Sequence, residues 1–192
     1  MQDADVTRIL DFWIEEVGPE GWYKQDDALD AKIRHKFEGL WSQARRGEKC
    51  NWMLHPRSAL ALLILTDQFP RNMFRGRGRA FSTDRMACAV ALRTVNLGYD
   101  CRIEGPQRQF FYLPMMHAEN ISWQEKCVRQ FLLKMPQAEE NLLHARAHRE
   151  VIRRFGRFPH RNEDLGRQTT EAERNFMADG GYGGVVRELQ AA

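Results

Sequence analysis

A chain of 192 residues that is 43% hydrophobic and 10% aromatic is long enough for one domain with a sizeable core and too apolar to remain disordered. The net charge is only +3 although the pI is about 8.8, which argues against a role resting on bulk attraction to nucleic acid. The cations are mostly arginine, 23 against 6 lysines, and they gather at 71–85 and 146–161. That clustering points to planar recognition of carboxylate or phosphate.

Taken in order, the chain reads as helices. From Asp3 to Val17, the residues Val6, Ile9, Leu10, Trp13, Ile14 and Val17 recur at helical spacing, with Gly18 as a stop. A loop through Pro19, Gly21 and Trp22 leads to a second helix from Asp26 to Arg45, striped with Leu29, Ile33, Phe37, Leu40, Trp41 and Ala44. Pro56 suits the first turn of a third helix, 57–68, which is apolar nearly all round and therefore central. The glycines of 71–79 indicate a loop, and Ser82-Thr83-Asp84 should cap a fourth helix running to Leu97. Pro106 opens a short fifth helix that Pro114 breaks or kinks. Ser122-Trp123-Gln124-Glu125 reads as a capping box starting a sixth helix that runs to Lys134. A seventh runs from Ala138 to Arg154, and Thr170-Glu171-Ala172-Glu173 is a second capping box that starts a last short one. No segment alternates like a strand. The fold class is therefore all-α, with about seven or eight helices in one domain over 1–180 and a glycine-rich flexible tail over 181–192, in which Val185–Leu189 could add one more helical turn.

Two corners punctuate this pattern. Asp67-Gln68-Phe69-Pro70-Arg71-Asn72 ends the apolar third helix, and Arg154-Phe155-Gly156-Arg157-Phe158-Pro159-His160-Arg161-Asn162 ends the seventh. Proline disfavours helical geometry at the residue before it, so Phe69 and Phe158 should be extended and the helices should stop near Gln68 and Arg157. Gly156 can supply a left-handed turn. Each Phe can plug into the core while Arg and Asn leave the corner as donors. Asp67 lies at the negative end of a helix dipole and needs a cation; Arg71, Arg157 and Arg161 are the candidates.

Those two motifs, with Phe74-Arg75-Gly76, Phe111-Tyr112-Leu113-Pro114, His117, Glu119, Leu165-Gly166-Arg167 and the opening Leu10-Asp11-Phe12-Trp13, resemble the bacterial domain-of-unknown-function family 924. The resemblance spans nearly the whole chain and leaves out the segment after Gly180. It implies a tetratricopeptide-like α–α superhelix and no established activity. The recurrence of apolar helix, Phe-Pro-Arg-Asn corner and capped helix agrees with stacked hairpins.

Three functional readings follow. In the first, the two corners lie side by side, and Asp67, Arg71, Asn72, Arg157, His160, Arg161 and Asn162 form a pocket for an anionic small molecule or a peptide terminus. The plain alternative for the same residues is a salt-bridge network locking helix ends. In the second, a hydrolase-like enzyme uses His117, Glu119 and His148 as acid–base or metal site. His144 and His148 share a helical face at i and i+4, but no third ligand falls into a recognised pattern, and no metal or cofactor is expected. In the third, the superhelix is a scaffold for a protein or peptide partner. The basic, aromatic run 71–81 resembles nucleic-acid readers, yet the small net charge disfavours that partner. Trp22 and Trp52 fall in loops and could wall a groove. The four cysteines, Cys50, Cys88, Cys101 and Cys127, show no metal or redox spacing. The acidic opening has no sustained apolar region, and the longest apolar run, 59–65, is too short for a membrane, so a cytoplasmic protein is expected.

Overall fold

The computed structural model describes residues 3–191, and these form helices and connections with no strand among them. The chain groups into two compact units that divide between Pro114 and Met115. Among the described residues no helix is long and apolar enough to cross a membrane.

In the first unit, α1 (Ala4–Leu10) starts on Asp3, whose carboxylate accepts from the Asp5 amide at 2.9 Å. It runs on as a widened, π-helical stretch, Asp11–Val17, and a short turn, α2 (Gly18–Gly21). Then α3 (Asp27–Arg45) starts on Asp26, which accepts from the amides of Ala28 and Leu29. Next, α4 (Pro56–Leu63) buries Ala59, Leu60, Ala61, Leu62 and Leu63, as its all-round apolar sequence requires. A second π-helical stretch, Ile64–Gln68, leads into α5 (Phe69–Met73), and α6 (Asp84–Asn96) follows. A short turn, α7 (Leu113–Met116), contains the division.

The core of this unit is aromatic and centres on Phe69. Its ring lies 4.7 Å from Phe37 and meets Trp13 edge-on at 5.4 Å and Phe12 at 6.2 Å. Phe69 is not extended, contrary to the rule for residues before proline: its φ of −57° and ψ of −38° are helical. The reason lies in the preceding five residues. A proline ordinarily removes a donor and collides with the carbonyl four residues back. Widening the turn over Ile64–Gln68 to an i→i+5 pattern changes which carbonyl the helix needs, and the Phe69 amide bonds to Ile64 O. The helix therefore passes through Pro70 instead of stopping at Gln68.

Three other expectations change. Trp22 and Trp52 are both buried, with indole N–H groups on Trp13 O (2.7 Å) and Asp3 Oδ2 (2.7 Å); Trp52 still borders a cleft with Val6 and His55, whereas Trp22 packs into the core. Thr83 precedes α6 but does not cap it. Its hydroxyl donates to Thr66 O at 2.6 Å and accepts from the Trp41 indole at 3.2 Å, tying three elements together. The sixth predicted helix starts on Asn120, which accepts from the Trp123 amide, and not on the Ser122 box.

In the second unit, α8 (Ile121–Lys134) packs along α9 (Glu139–Phe155), which ends on Gly156 in the left-handed region at φ 69°. Here Phe158 is extended (φ −92°, ψ 107°), as the sequence indicates. A 3-10 turn, Pro159–Arg161, follows, and α10 (Glu171–Ala178) carries the expected Thr170–Glu173 capping box. The chain then departs from the expected flexible tail. Gly181–Gln190 is a helix, α11, whose Val185 sits in an apolar cluster with Ala147, Val151, Ile152 and Phe158, flanked by Val186 and Leu189. Apolar residues at 185, 186 and 189 give this segment a helical face to bury, which offsets its glycines.

Phe69→Ala should cost about 3–5 kcal/mol, because it empties the centre of the aromatic core. Leu54, which is 60% exposed, should tolerate alanine within about 0.5 kcal/mol. Urea unfolding of both variants checks the contrast.

Candidate functional site

The first corner places Asp67 in the π-helical turn, 1% exposed. Gln68 Nε2 donates to its Oδ2 at 2.6 Å, and Arg71, one turn on, brings Nη1 to 3.5 Å from its Oδ1. The same guanidinium donates to Asp67 O at 2.6 Å and grips Asp84 with two 3.0 Å bonds. Asn72 turns to Asp30 on α3, donating to Oδ1 at 2.8 Å, and Arg75 closes a bidentate pair with the same carboxylate. Of the arginine run beyond, Arg79 pairs with Glu38 at 2.9 Å and lies over Phe74 (4.1 Å) and Trp41 (4.9 Å). Arg71, Arg75 and Arg79 thus hold carboxylates in place, which removes the main support for reading 71–81 as a nucleic-acid surface.

The second corner also uses its donors internally. Arg157 forms a bidentate pair with Glu173 (2.6 and 2.8 Å), and Asn162 Nδ2 donates to the same carboxylate at 3.2 Å. Glu173 is simultaneously the carboxylate of the capping box, accepting from the Thr170 amide at 2.8 Å. Its pKa falls to about 2, driven first by the Arg157 hydrogen bond and, against the cost of burial, by the Thr170 contacts and the Arg157 charge. Glu119 accepts from both terminal nitrogens of Arg167 (2.7 and 2.9 Å) and from the Phe158 amide at 2.8 Å. Burial pushes its carboxyl upward, but Arg167 and the amide outweigh this and hold it below the usual range. Glu119 therefore anchors the corner.

Of the remaining predicted residues, Arg161, His148 and His160 meet around the Phe158 ring and His117 lies beside His148. Arg161, 6% exposed, places its guanidinium 4.4 Å above the ring and donates to His117 O at 3.1 Å. His148 meets the ring edge-on at 5.5 Å, and His117 lies 6.2 Å from His148. The His160 ring lies 5.6 Å from the Phe158 ring, and the residue is exposed. Buried Gln124 steadies His117 by donating to the carbonyls on either side of it, Met116 O (2.6 Å) and Ala118 O (2.8 Å). His148 Nδ1 lies 2.8 Å from His144 O. A carbonyl only accepts, so Nδ1 carries the proton and Nε2 the lone pair. The pKa of His148 falls to about 3, chiefly through burial, then through His117, with Arg161 and His144 adding to the effect and the bond to His144 O opposing it. His148 is a neutral imidazole in a positively biased setting. Among the described residues, no group of three or more His, Cys, Asp or Glu gathers to hold a metal.

The sequence singles out His117, His148 and Arg161, but in separate proposals; the structure brings them together. It misses Glu173, Arg167, Asp30 and Asp84, the carboxylates and cation that occupy the other predicted donors. The capping box is the one signal that marks Glu173. The sequence does not mark Tyr182 either, whose hydroxyl lies 2.6 Å from His144 Nδ1.

A family model described as bacterial protein of unknown function (DUF924) matches residues 9–181. The chain is similar to a solved structure of a protein of unknown function from Agrobacterium tumefaciens, with 39% identity over 91% of this chain and 97% of that one and a TM-score of 0.85. No curated protein matches the chain.

Two ionisations should shape the stability at acid pH. Glu173 has a folded pKa below its ordinary 4.5, so its contribution is complete above that value and is lost as the pH falls toward about 2. His148 has a folded pKa below 6.5, so the unfolded chain takes up the proton first and stability declines between about 6.5 and about 3. In urea unfolding followed across pH, Glu173→Gln should flatten the lower part of this decline and His148→Phe the upper part.

Proposed function

The chain belongs to the DUF924 family of bacterial proteins of unknown function, and from its own geometry we propose that it binds an anionic small molecule or a peptide carboxyl terminus at the His117, His148 and Arg161 cluster. The observation that carries this reading is that His148 and the buried Arg161 guanidinium share the Phe158 ring while the His117 imidazole lies beside His148. The His117 carbonyl and the Phe158 face both hold Arg161, so its guanidinium is in place before any ligand arrives. Guanidinium is also the group best suited to planar carboxylate or phosphate. Of the donors named in the sequence, Arg71, Asn72, Arg157 and Asn162 serve carboxylates within the fold. The binding set we propose is Arg161 and His160, joined by His117 and His148, with the charge of Arg161 also felt by the Glu119 carboxylate.

A second reading is favoured by one observation, the tautomer of His148. With Nδ1–H held by His144 O, its Nε2 is a neutral base at physiological pH. In a hydrolase-like enzyme it would take a proton from water or a hydroxyl while Arg161 orients an anionic substrate. Glu119 falls outside that role, since Arg167 and the Phe158 amide occupy both of its oxygens.

Binding and protonation are linked. An anion beside His148 favours the imidazolium form, so phosphate, acetate or a peptide with an unblocked carboxyl terminus should raise the His148 midpoint by about one pH unit. Heteronuclear NMR titration at matched ionic strength measures this, and Arg161→Met should abolish the shift. A midpoint that none of the three probes moves defeats the binding reading.

A further inference from the structure

Tyr182 belongs to α11, and apart from Gly181 that helix lies beyond the residues matched by the family model. Its hydroxyl is 2.6 Å from His144 Nδ1, and the two rings stack at 5.9 Å and 14°. The same tyrosine meets His148 edge-to-face at 4.7 Å. One side chain therefore touches both imidazoles on α9. Burial raises the phenol above its ordinary range, so Tyr182 keeps its proton and donates. His144 Nδ1 then accepts, and the His144 proton resides on Nε2, 4.0 Å from Glu140 Oε1.

The glycines around Tyr182 make this placement possible. The chain doubles back from α10 into α11 through Gly180 and Gly181, at φ 98° and 52°. A Cβ on Gly180 would lie 2.7 Å from Arg187 Nη2, and one on Gly184 would lie 3.2 Å from the Asp179 carbonyl. A side chain at Gly180 would be strained by its positive φ and would displace the Arg187 guanidinium, and one at Gly184 would press on the Asp179 carbonyl. Val185 holds the helix down one turn later, in the cluster with Ala147, Val151 and Ile152.

We infer that Tyr182 is a positioning residue of the imidazole cluster: its hydroxyl holds His144 in one tautomer and its ring covers one edge of His148. The inference rests on the reading of that cluster as the binding site and names the element that controls it. The titratable and charged groups facing His148 are His117 from the segment after α7, His144 on α9 itself, Arg161 from the 3-10 turn and Tyr182. Tyr182 brings no charge; it acts by excluding water and by fixing His144.

Histidine tautomers and midpoints read by NMR on the full chain without any anion provide the test. Tyr182→Phe keeps the ring and loses the hydroxyl. It should release His144 into a mixture of tautomers while the His148 midpoint stays near 3. Tyr182→Ala should also raise the His148 midpoint by more than about one pH unit. Val186→Ala loosens α11 without touching either imidazole and should leave both readings unchanged. The inference is overturned if Tyr182→Phe leaves His144 wholly in the Nε2–H form, or if a folded Tyr182→Ala protein keeps the His148 midpoint. Should the alanine variant fail to fold, the phenylalanine variant decides alone. Because no anion is present, these results stand apart from the phosphate test: shifted histidines with no anion response would uphold the role of Tyr182 and refute the site.

Discussion

A carboxylate withdrawn from water must be met by a cation and by N–H donors, because an unmet buried charge costs far more than a typical protein interaction returns. That constraint governs where the arginines of this chain go. Asp30, Asp67 and Glu173 are all nearly inaccessible. Arg75, Arg71 and Arg157 are the side chains that meet them, with Asn72, Gln68 and Asn162 filling the remaining acceptor positions. These arginines are committed to the fold, while most of the others stand at the surface.

The same constraint gives the second corner its shape. Glu119 ties the Phe158 amide to Arg167, and Glu173 ties Arg157 to the start of α10, so the extended Phe158 is held from both sides. The ring fixed in this way is a platform, with Arg161 on its face and His148 at its edge. Two carboxylates that the sequence could offer as catalytic or ligand-binding are spent on rigidity.

The all-α class, most helix boundaries, the left-handed Gly156 and the Thr170 capping box were legible in the sequence, because helical periodicity and local hydrogen bonding are short-range properties. The path through Pro70 was not, since it depends on a widened turn whose cause is tertiary: Phe69 must reach Phe37, Trp13 and Phe12 at once. Thr83 looked like a cap because Ser-Thr-Asp before an apolar run is the usual sign of one, but Trp41 and the Thr66 carbonyl compete for its hydroxyl and win. A helical turn over 185–189 could be read from the sequence, but its start at Gly181 was masked by glycines, whose low propensity is outweighed by the apolar contacts of Val185. Of the site, the residue types were visible. Their partners were not, because pairing between Arg157 and Glu173 or between His117 and His148 is set by folding across many intervening residues.

The widened turn over Ile64–Gln68 makes the first corner sensitive to length in a way that composition does not reveal. Such a turn behaves as a regular α-helix with one residue too many. Deleting any one of the five would let the turn close to an ordinary α-helical one, which spans nearly the same rotation and rise, so Phe69 and Arg71 would keep their direction. What would change is the surroundings of Pro70, whose ring would then meet the carbonyl four residues back without the widening that spares it. The extra residue is what lets a proline stand inside this helix.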